Sequence, residues 1–135
     1  MNKAGVLVYI DDDQDDLLFF REAAKSLALP NEVKLFASAQ EALGYLKLST
    51  TRPFMVISDL NMPIMTGFEL RREVLEDEAL SKKCFPYLFL STSSTHSVTQ
   101  KAYEYAIQGF FQKPNDNKEL KTLLKDIYTY WIKAE

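Results

Sequence analysis

The feature that most limits the fold of this chain is the regular alternation of short apolar segments with helical segments. Strands are predicted at residues 4–10, 33–37, 54–58, 87–91 and 110–112. The first of these is almost continuously apolar, which is typical of a strand buried on both faces. Strict alternation of strand and helix predicts a doubly wound parallel sheet, with helices on both faces and right-handed crossovers.

Each predicted strand is followed by a predicted helix, so the chain contains five strand–helix units. The helices are predicted at about 17–27, from the cap Ser38 to about 48, from about 68 onwards, at about 98–108 and from about 115 onwards. With 135 residues and no visible linker or repeat, residues 1–135 are expected to form one domain.

The composition excludes several classes of function. The net charge of -3 does not favour a nucleic-acid-binding surface. Cys84 is the one cysteine, so the chain has no intrachain disulfide, which fits a reducing compartment. The first ten residues do not have the pattern of a signal peptide or a membrane span. We therefore expect a cytoplasmic protein that binds neither nucleic acid nor membrane.

Polar side chains that follow the strands are the candidate functional residues, because parallel sheets carry their sites outside the carboxyl ends of the strands. These residues are Asp11, Asp12 and Asp13 after the first strand, Asp59 and Asn61 after the third, Ser91 and Thr92 after the fourth, and Lys113 after the fifth. Clustered carboxylates repel one another unless a cation neutralises them, and oxygen ligands suit Mg²⁺. A carboxylate beside the metal can form an acyl phosphate, whose oxygens a lysine and a hydroxyl can bind.

Four segments carry a resemblance to a known family. They are VLVYIDDD at 6–13, VISDLNMPIMTG at 56–67, PYLFLSTSS at 86–94 and GFFQKP at 109–114. Together, and in this order, they resemble the receiver domain of bacterial two-component response regulators, in particular the single-domain, chemotaxis-regulator-like kind. The resemblance covers essentially the whole chain. It implies a flavodoxin-like α/β fold, with a five-stranded parallel sheet in the order 2-1-3-4-5 and five helices.

The resemblance implies a phosphoacceptor and a metal site. Asp59 corresponds to the phosphoacceptor, which also contributes to the metal site. Asp12 corresponds to a direct Mg²⁺ ligand, and Asp11 to an acidic neighbour that acts partly through water. The backbone carbonyl of Asn61 corresponds to the last metal ligand from the protein.

The resemblance also implies a switch. Ser91 corresponds to a hydroxyl that moves to the phosphoryl group, and Phe110 to an aromatic residue that then rotates inward. Lys113 is expected to pair with Asp59 and later with its phosphate, and the Lys113–Pro114 bond is expected to be cis.

Some family positions are occupied by less common residues. Serine at 91 stands where threonine is commoner, and Phe110 has no phenolic hydroxyl. Thr92 is larger than the residue often found there, which narrows access for phosphoryl donors. Asn61 and Ser93 occupy positions that tune the lifetime of the phosphate in this family.

The implied reaction is phosphoryl transfer from a histidine kinase or a histidine phosphotransfer protein to Asp59. The protein is then a signalling switch that contributes to its own phosphorylation and dephosphorylation, and not an enzyme acting on a separate substrate. With no effector domain expected in the chain, the protein is expected either to act on an unidentified output protein or to relay the phosphate, as a monomer or a phosphorylation-linked dimer. The output face has four candidate residues, Tyr103, Tyr105, Tyr128 and Tyr130.

Alternative interpretations of the acidic run at 11–16 are weaker. Asp15 and Asp16 are expected only to begin the first helix, and the role of Asp13 is open. A calcium-binding loop is rejected because Asp16 stands where that loop needs glycine. His96 is expected at the surface.

Two alternative functions remain. One is a receiver-like scaffold that binds partners without phosphorylation. The other is an aspartate-nucleophile phosphatase of the haloacid dehalogenase type. The phosphatase is disfavoured because that type has its nucleophile in a DxD motif after the first strand, whereas this chain has Asp59-Leu60-Asn61 after the third.

Overall fold

The computed structural model describes residues 1–92 and 94–135, and its five strands form one parallel sheet. The strands are β1 (Leu7–Ile10), β2 (Val33–Phe36), β3 (Met55–Ser58), β4 (Tyr87–Ser91) and β5 (Gly109–Gln112). Their order is β2-β1-β3-β4-β5, which confirms the predicted topology. Every residue of β1, β3 and β4 is buried, because these three central strands are covered on both faces.

Six helices lie in the described part of the chain, one more than the five predicted. They are α1 (Gln14–Ser26), α2 (Ala39–Leu48), α3 (Gly67–Glu76), α4 (Glu78–Lys83), α5 (His96–Tyr103) and α6 (Asn117–Lys133). The additional helix arises because the segment that follows β3 is interrupted at Asp77. This residue has an extended backbone, and its side chain accepts a hydrogen bond from Leu80 N to cap α4.

Helix α5 ends at Tyr103, before the predicted end at 108. Tyr105 N and Ala106 N donate to the carbonyls of Ala102 and Tyr103, which tightens the end of the helix into a turn. Ala106 has a φ of 54°, in the left-handed region where a helix commonly ends. The turn directs the chain into Gly109 and β5.

The sheet separates two apolar layers, and successive residues of each strand point into opposite layers. Val8, Ile10 and Val56 face the layer that contains α2, α3 and α4. Leu7 and Tyr9 face the layer that contains α1 and α6. The two layers hold the carboxyl ends of the strands rigidly side by side, and the candidate site lies there.

The predicted cis bond at Lys113–Pro114 is wrong. That bond is trans, and among the described residues the cis bond is Phe85–Pro86, just before β4. An X–Pro bond ordinarily prefers the trans form, and Lys113 reaches the neighbouring carboxylates without a cis bond.

Within residues 1–92 and 94–135, no helix combines the length and the apolar character needed to cross a membrane.

Candidate functional site

Three carboxylates meet at the carboxyl ends of β1 and β3. Ile10 lies beside Ser58 in the parallel ladder, so Asp11 and Asp59 are the next residues on two adjacent strands. One oxygen from each of Asp11, Asp12 and Asp59 lies within 4.8 Å of the other two. Asp11 and Asp59 are buried, whereas Asp12 is exposed. The group therefore has a buried base and one side open to solvent.

Lys113 points into this group from the end of β5. Its Nζ lies 2.6 Å from Asp11 Oδ2, 2.9 Å from Asp16 Oδ2 and 3.2 Å from Asp59 Oδ2. Lys113 N donates to Ser91 O at 2.9 Å, which anchors the residue to the end of β4. Burial alone would lower the pKa of the Lys113 ammonium, but its hydrogen bonds and charge interactions with these carboxylates outweigh burial and raise the pKa. Lys113 is thus a charged counter-ion to these carboxylates in the described structure.

Asp11 has the most completely bonded carboxylate of the group. Its Oδ1 accepts a hydrogen bond from Asp13 N at 3.0 Å, and its Oδ2 accepts one from Tyr9 Oη at 2.7 Å as well as pairing with Lys113. Burial, followed by the charge of Asp11 and the hydrogen bond to it, raises the pKa of Tyr9 far above its usual range. Tyr9 therefore stays a neutral donor.

The other residues of the acidic run have separate roles. Asp13 is the N-cap of α1, and its Oδ1 accepts from Asp15 N at 2.9 Å and Asp16 N at 3.2 Å. Asp15 and Asp16 lie in the first turn, as predicted. The prediction for Asp16 was incomplete, because its carboxylate also binds Lys113. Asp16 lies one helical turn before the buried Phe20, and that spacing was the available signal that it faces the sheet.

The loop after β3 fixes the Asp59 carboxylate. Leu60 N donates to Asp59 Oδ1 at 2.7 Å, while Oδ2 faces Lys113. Gly67 N donates to Leu60 O at 2.8 Å and closes the loop. A Cβ added to Gly67 would lie 2.2 Å from the backbone oxygen of Asp59, so this close approach requires glycine. Asn61 is exposed in the same loop.

The two predicted switch residues lie on neighbouring strands. Ser91 is fully buried at the end of β4, where it pairs with Gln112 of β5. Phe110 is half-buried, and its ring centroid lies 6.4 Å from that of Phe89. Phe110 N donates to Tyr103 Oη at 3.2 Å, which ties β5 to the end of α5.

A cavity of about 190 Å³ opens beside this group, and its wall includes Tyr9, Asp16, Thr92 and Lys113. Thr92 therefore borders the cavity, as its predicted effect on the access of phosphoryl donors requires. Ser93, predicted to tune the lifetime of the phosphate, lies outside the described residues.

The four tyrosines proposed for an output face differ in exposure. Tyr103 and Tyr130 are 51% and 65% exposed. Tyr105 Oη accepts a hydrogen bond from Arg72, and Tyr128 Oη donates to Asn31 Oδ1 at 2.7 Å. Tyr103 and Tyr130 are therefore available at the surface, although Tyr103 also binds Phe110 N, whereas Tyr105 and Tyr128 mainly hold neighbouring elements together.

His96 is exposed, as predicted.

Comparison with known proteins gives a consistent result. The family model described as the response regulator receiver domain matches residues 6–125. The response regulator Rcp1 of Synechocystis sp. is 22% identical, over 98% of this chain and 92% of Rcp1.

Solved structures have the same fold. The phosphorylated cyanobacterial phytochrome response regulator RcpA superposes with a TM-score of 0.85 at 25% identity, over 96% of this chain and 94% of RcpA. The Mn²⁺-bound form of Rcp1 superposes with a TM-score of 0.83 at 21% identity, over 97% of this chain and 96% of Rcp1.

Proposed function

The chain belongs to the family of response regulator receiver domains, and we propose that it accepts a phosphoryl group on Asp59. Receiver domains are signalling switches that histidine kinases or phosphotransfer proteins phosphorylate. The observation that carries the proposal is the contact of Asp59 with Lys113 at 3.2 Å, inside a group of three carboxylates within 4.8 Å of one another. This arrangement supplies a nucleophile, a cation beside it and ligands for a second cation.

The proposed metal is Mg²⁺, held by the side chains of Asp11, Asp12 and Asp59 and by the backbone carbonyl of Asn61. The donors fit, because all are oxygens and the exposed Asp12 leaves room for the waters that Mg²⁺ retains. Bound there, the ion would neutralise charge on the phosphoryl oxygens. Rcp1 is described in a Mn²⁺-bound form, and oxygen ligands suit both metals.

Catalysis of phosphoryl transfer depends mainly on positioning the nucleophile and on stabilising charge in the transition state. Leu60 N holds Asp59 through Oδ1, so the carboxylate has a fixed orientation. An oxygen of Asp59 forms a bond to phosphorus while the phosphorus–nitrogen bond of the donor phosphohistidine breaks, and the histidine nitrogen keeps that electron pair. Lys113, already beside Asp59, then binds the new phosphoryl oxygens.

The proposed output is a shift between two conformations of the face formed by α5, β5 and α6. Ser91 moves towards the phosphoryl group and Phe110 follows it inward. The exposed Tyr103 and Tyr130 are the candidates for contact with the output protein. We further propose one receiver domain over residues 1–135, acting as a monomer or a phosphorylation-linked dimer. Its cytoplasmic location stays a prediction.

Mass measurement with acetyl phosphate and Mg²⁺ tests this function. We expect one phosphoryl adduct on the wild-type protein and none on Asp59→Asn. The matched control is Asp13→Asn, because Asn also caps helices and Asp13 lies outside the group of three carboxylates. This control should be phosphorylated normally.

Three results would contradict the proposal. Absence of an adduct on the wild-type protein would favour a scaffold. An adduct that persists in Asp59→Asn would assign the phosphoryl group to another residue. Continuous hydrolysis of unrelated phosphate esters would favour the phosphatase.

A further inference from the structure

Tyr9 has a hydroxyl that packing does not explain. The residue lies in the central strand β1 and is 2% exposed. Its ring stacks on Phe20 of α1, with the centroids 4.3 Å apart and the planes 13° from parallel. A phenylalanine would fill the same space and make the same stacking contact, so the phenolic oxygen must have another role.

The hydroxyl donates to Asp11 Oδ2 at 2.7 Å. Tyr9 and Asp11 are two residues apart along the same strand direction, so their side chains emerge on the same side of the sheet. The contact is buried at both ends, since Asp11 is fully buried. A hydrogen bond to a charged acceptor in such surroundings is stronger than one between neutral groups.

Lys113 Nζ approaches the same Asp11 oxygen at 2.6 Å, but this ammonium group also contacts Asp16 and Asp59. If Lys113 turns towards a phosphoryl group on Asp59, it has to loosen its contact with Asp11. Tyr9 cannot follow, because its backbone lies in a central strand and its ring is held against Phe20. The Tyr9 hydroxyl is therefore the side-chain donor to Asp11 that persists when Lys113 changes partner.

We propose that Tyr9 is a positioning residue for the metal site: its hydroxyl fixes the rotation of the Asp11 carboxylate and so increases the affinity of the three-carboxylate group for Mg²⁺. This inference rests on the proposed function. The physical reason is preorganisation, because a carboxylate already held in one orientation loses less freedom when it binds a cation. Tyr9 does not contact the transferred group, so its effect acts through Asp11.

The test is the Mg²⁺ dissociation constant of Tyr9→Phe, measured by isothermal titration calorimetry without any phosphoryl donor. The substitution removes one oxygen and leaves the stacked ring. We expect a dissociation constant about tenfold larger than that of the wild-type protein, as for other outer-shell partners of metal ligands. In phosphorylation by acetyl phosphate, the half-saturating Mg²⁺ concentration should rise by the same factor, whereas the rate at saturating Mg²⁺ should stay within about twofold.

The matched control is Tyr87→Phe. Tyr87 is also fully buried in a central strand, but it lies at the start of β4 and its ring packs against the Arg71 guanidinium at 4.6 Å. The Mg²⁺ affinity of the Tyr87→Phe variant should equal that of the wild-type protein. As a measurement that needs no substitution, the tyrosine ¹³Cζ resonance of Tyr9 should shift on addition of Mg²⁺, while that of Tyr87 should not.

The outcomes separate this inference from the proposed function. If the wild-type protein binds Mg²⁺ and Tyr9→Phe binds it with the same affinity, only the proposed role of Tyr9 is overturned. Equal weakening in Tyr9→Phe and Tyr87→Phe would also overturn it, because a general loosening of the sheet would then be the cause. Wild-type protein that binds no Mg²⁺ would overturn the proposed metal site and this inference together.

Discussion

Two cations in this molecule, the half-buried Lys113 and the buried Arg71, are held in opposite ways. Lys113 lies within 3.2 Å of three carboxylates at the carboxyl edge of the sheet. Arg71 of α3 is 4% exposed and donates to the backbone carbonyls of Tyr105 and Ala106, at 3.0 and 2.8 Å. Among the described residues, no carboxylate lies within salt-bridge distance of Arg71. One cation is surrounded by charge, and the other by backbone dipoles.

The difference separates a group with excess negative charge from a cation whose partners are neutral backbone carbonyls. Asp11, Asp12, Asp16 and Asp59 carry more negative charge than Lys113 neutralises, so their group attracts a further cation. Arg71 instead satisfies two carbonyls in the turn between α5 and β5, and burial lowers the pKa of its guanidinium. We interpret Arg71 as a fixed structural link and Lys113 as the movable member of a functional site.

The largest effect is expected for Lys113→Met. Without Mg²⁺ the substitution should lower the free energy of unfolding by about 3 kcal/mol, because it leaves the buried Asp11 without its cation. Added Mg²⁺ should stabilise this variant more than the wild-type protein, since the ion replaces the lost charge and binds only the folded state. Urea denaturation with and without Mg²⁺ measures both quantities.

Lys82→Met provides the control, because Lys82 forms an exposed pair with Glu78 at 3.1 Å. It should change the free energy of unfolding by less than about 1 kcal/mol. The interpretation of Lys113 as a counter-ion fails if Mg²⁺ stabilises Lys113→Met no more than it stabilises the wild-type protein.

An intermediate effect is expected for Arg71→Met. The loss of two donors should lower the free energy of unfolding by about 2 kcal/mol, partly offset because a buried cation is removed. The stabilisation by Mg²⁺ should equal that of the wild-type protein. Arg72→Met is the matched control, since Arg72 is exposed and bonds only the hydroxyl of Tyr105 in the described structure. An altered response of Arg71→Met to Mg²⁺ would refute the distinction between the two cations.

The smallest effect concerns alkaline pH. The pKa of Lys113 in the folded protein is raised above its ordinary value of 10.5, so the folded state keeps a proton that the unfolded state loses. The stability that Lys113 contributes is therefore complete below pH 10.5 and is lost as the pH rises through the folded pKa.

The difference in unfolding free energy between wild-type protein and Lys113→Met should accordingly shrink by about 1 kcal/mol from about pH 8 to about pH 11. The difference between wild-type protein and Arg71→Met should stay constant over that range, because arginine remains protonated in both states. Chemical denaturation at several pH values gives both curves. If both differences in unfolding free energy shrink equally as the pH rises, the titration of Lys113 is not the cause.

The elements, and the placing of the candidate site residues at the strand ends, could be predicted because they depend on local patterns. Buried strands are continuous apolar runs. Asp11, Asp12, Asp59, Ser91 and Lys113 lie at the ends of strands or within two residues after them. The break at Asp77 was missed, since the capping of α4 depends on one side chain within an otherwise helical segment. Tyr9 was overlooked because a tyrosine in an apolar strand is usually only part of the core.

The sequence by itself determined the alternation of strands and helices, and hence which polar residues stand at the strand ends. Only the tertiary structure decided how they pair. Two contacts depend on strand register and on the packing of α1 against the sheet. They are the contact of Asp16 in α1 with Lys113 after β5, and that of Tyr9 with Asp11. A hydrogen bond is effective only within a few tenths of an ångström, and a one-dimensional pattern carries no distance of that kind.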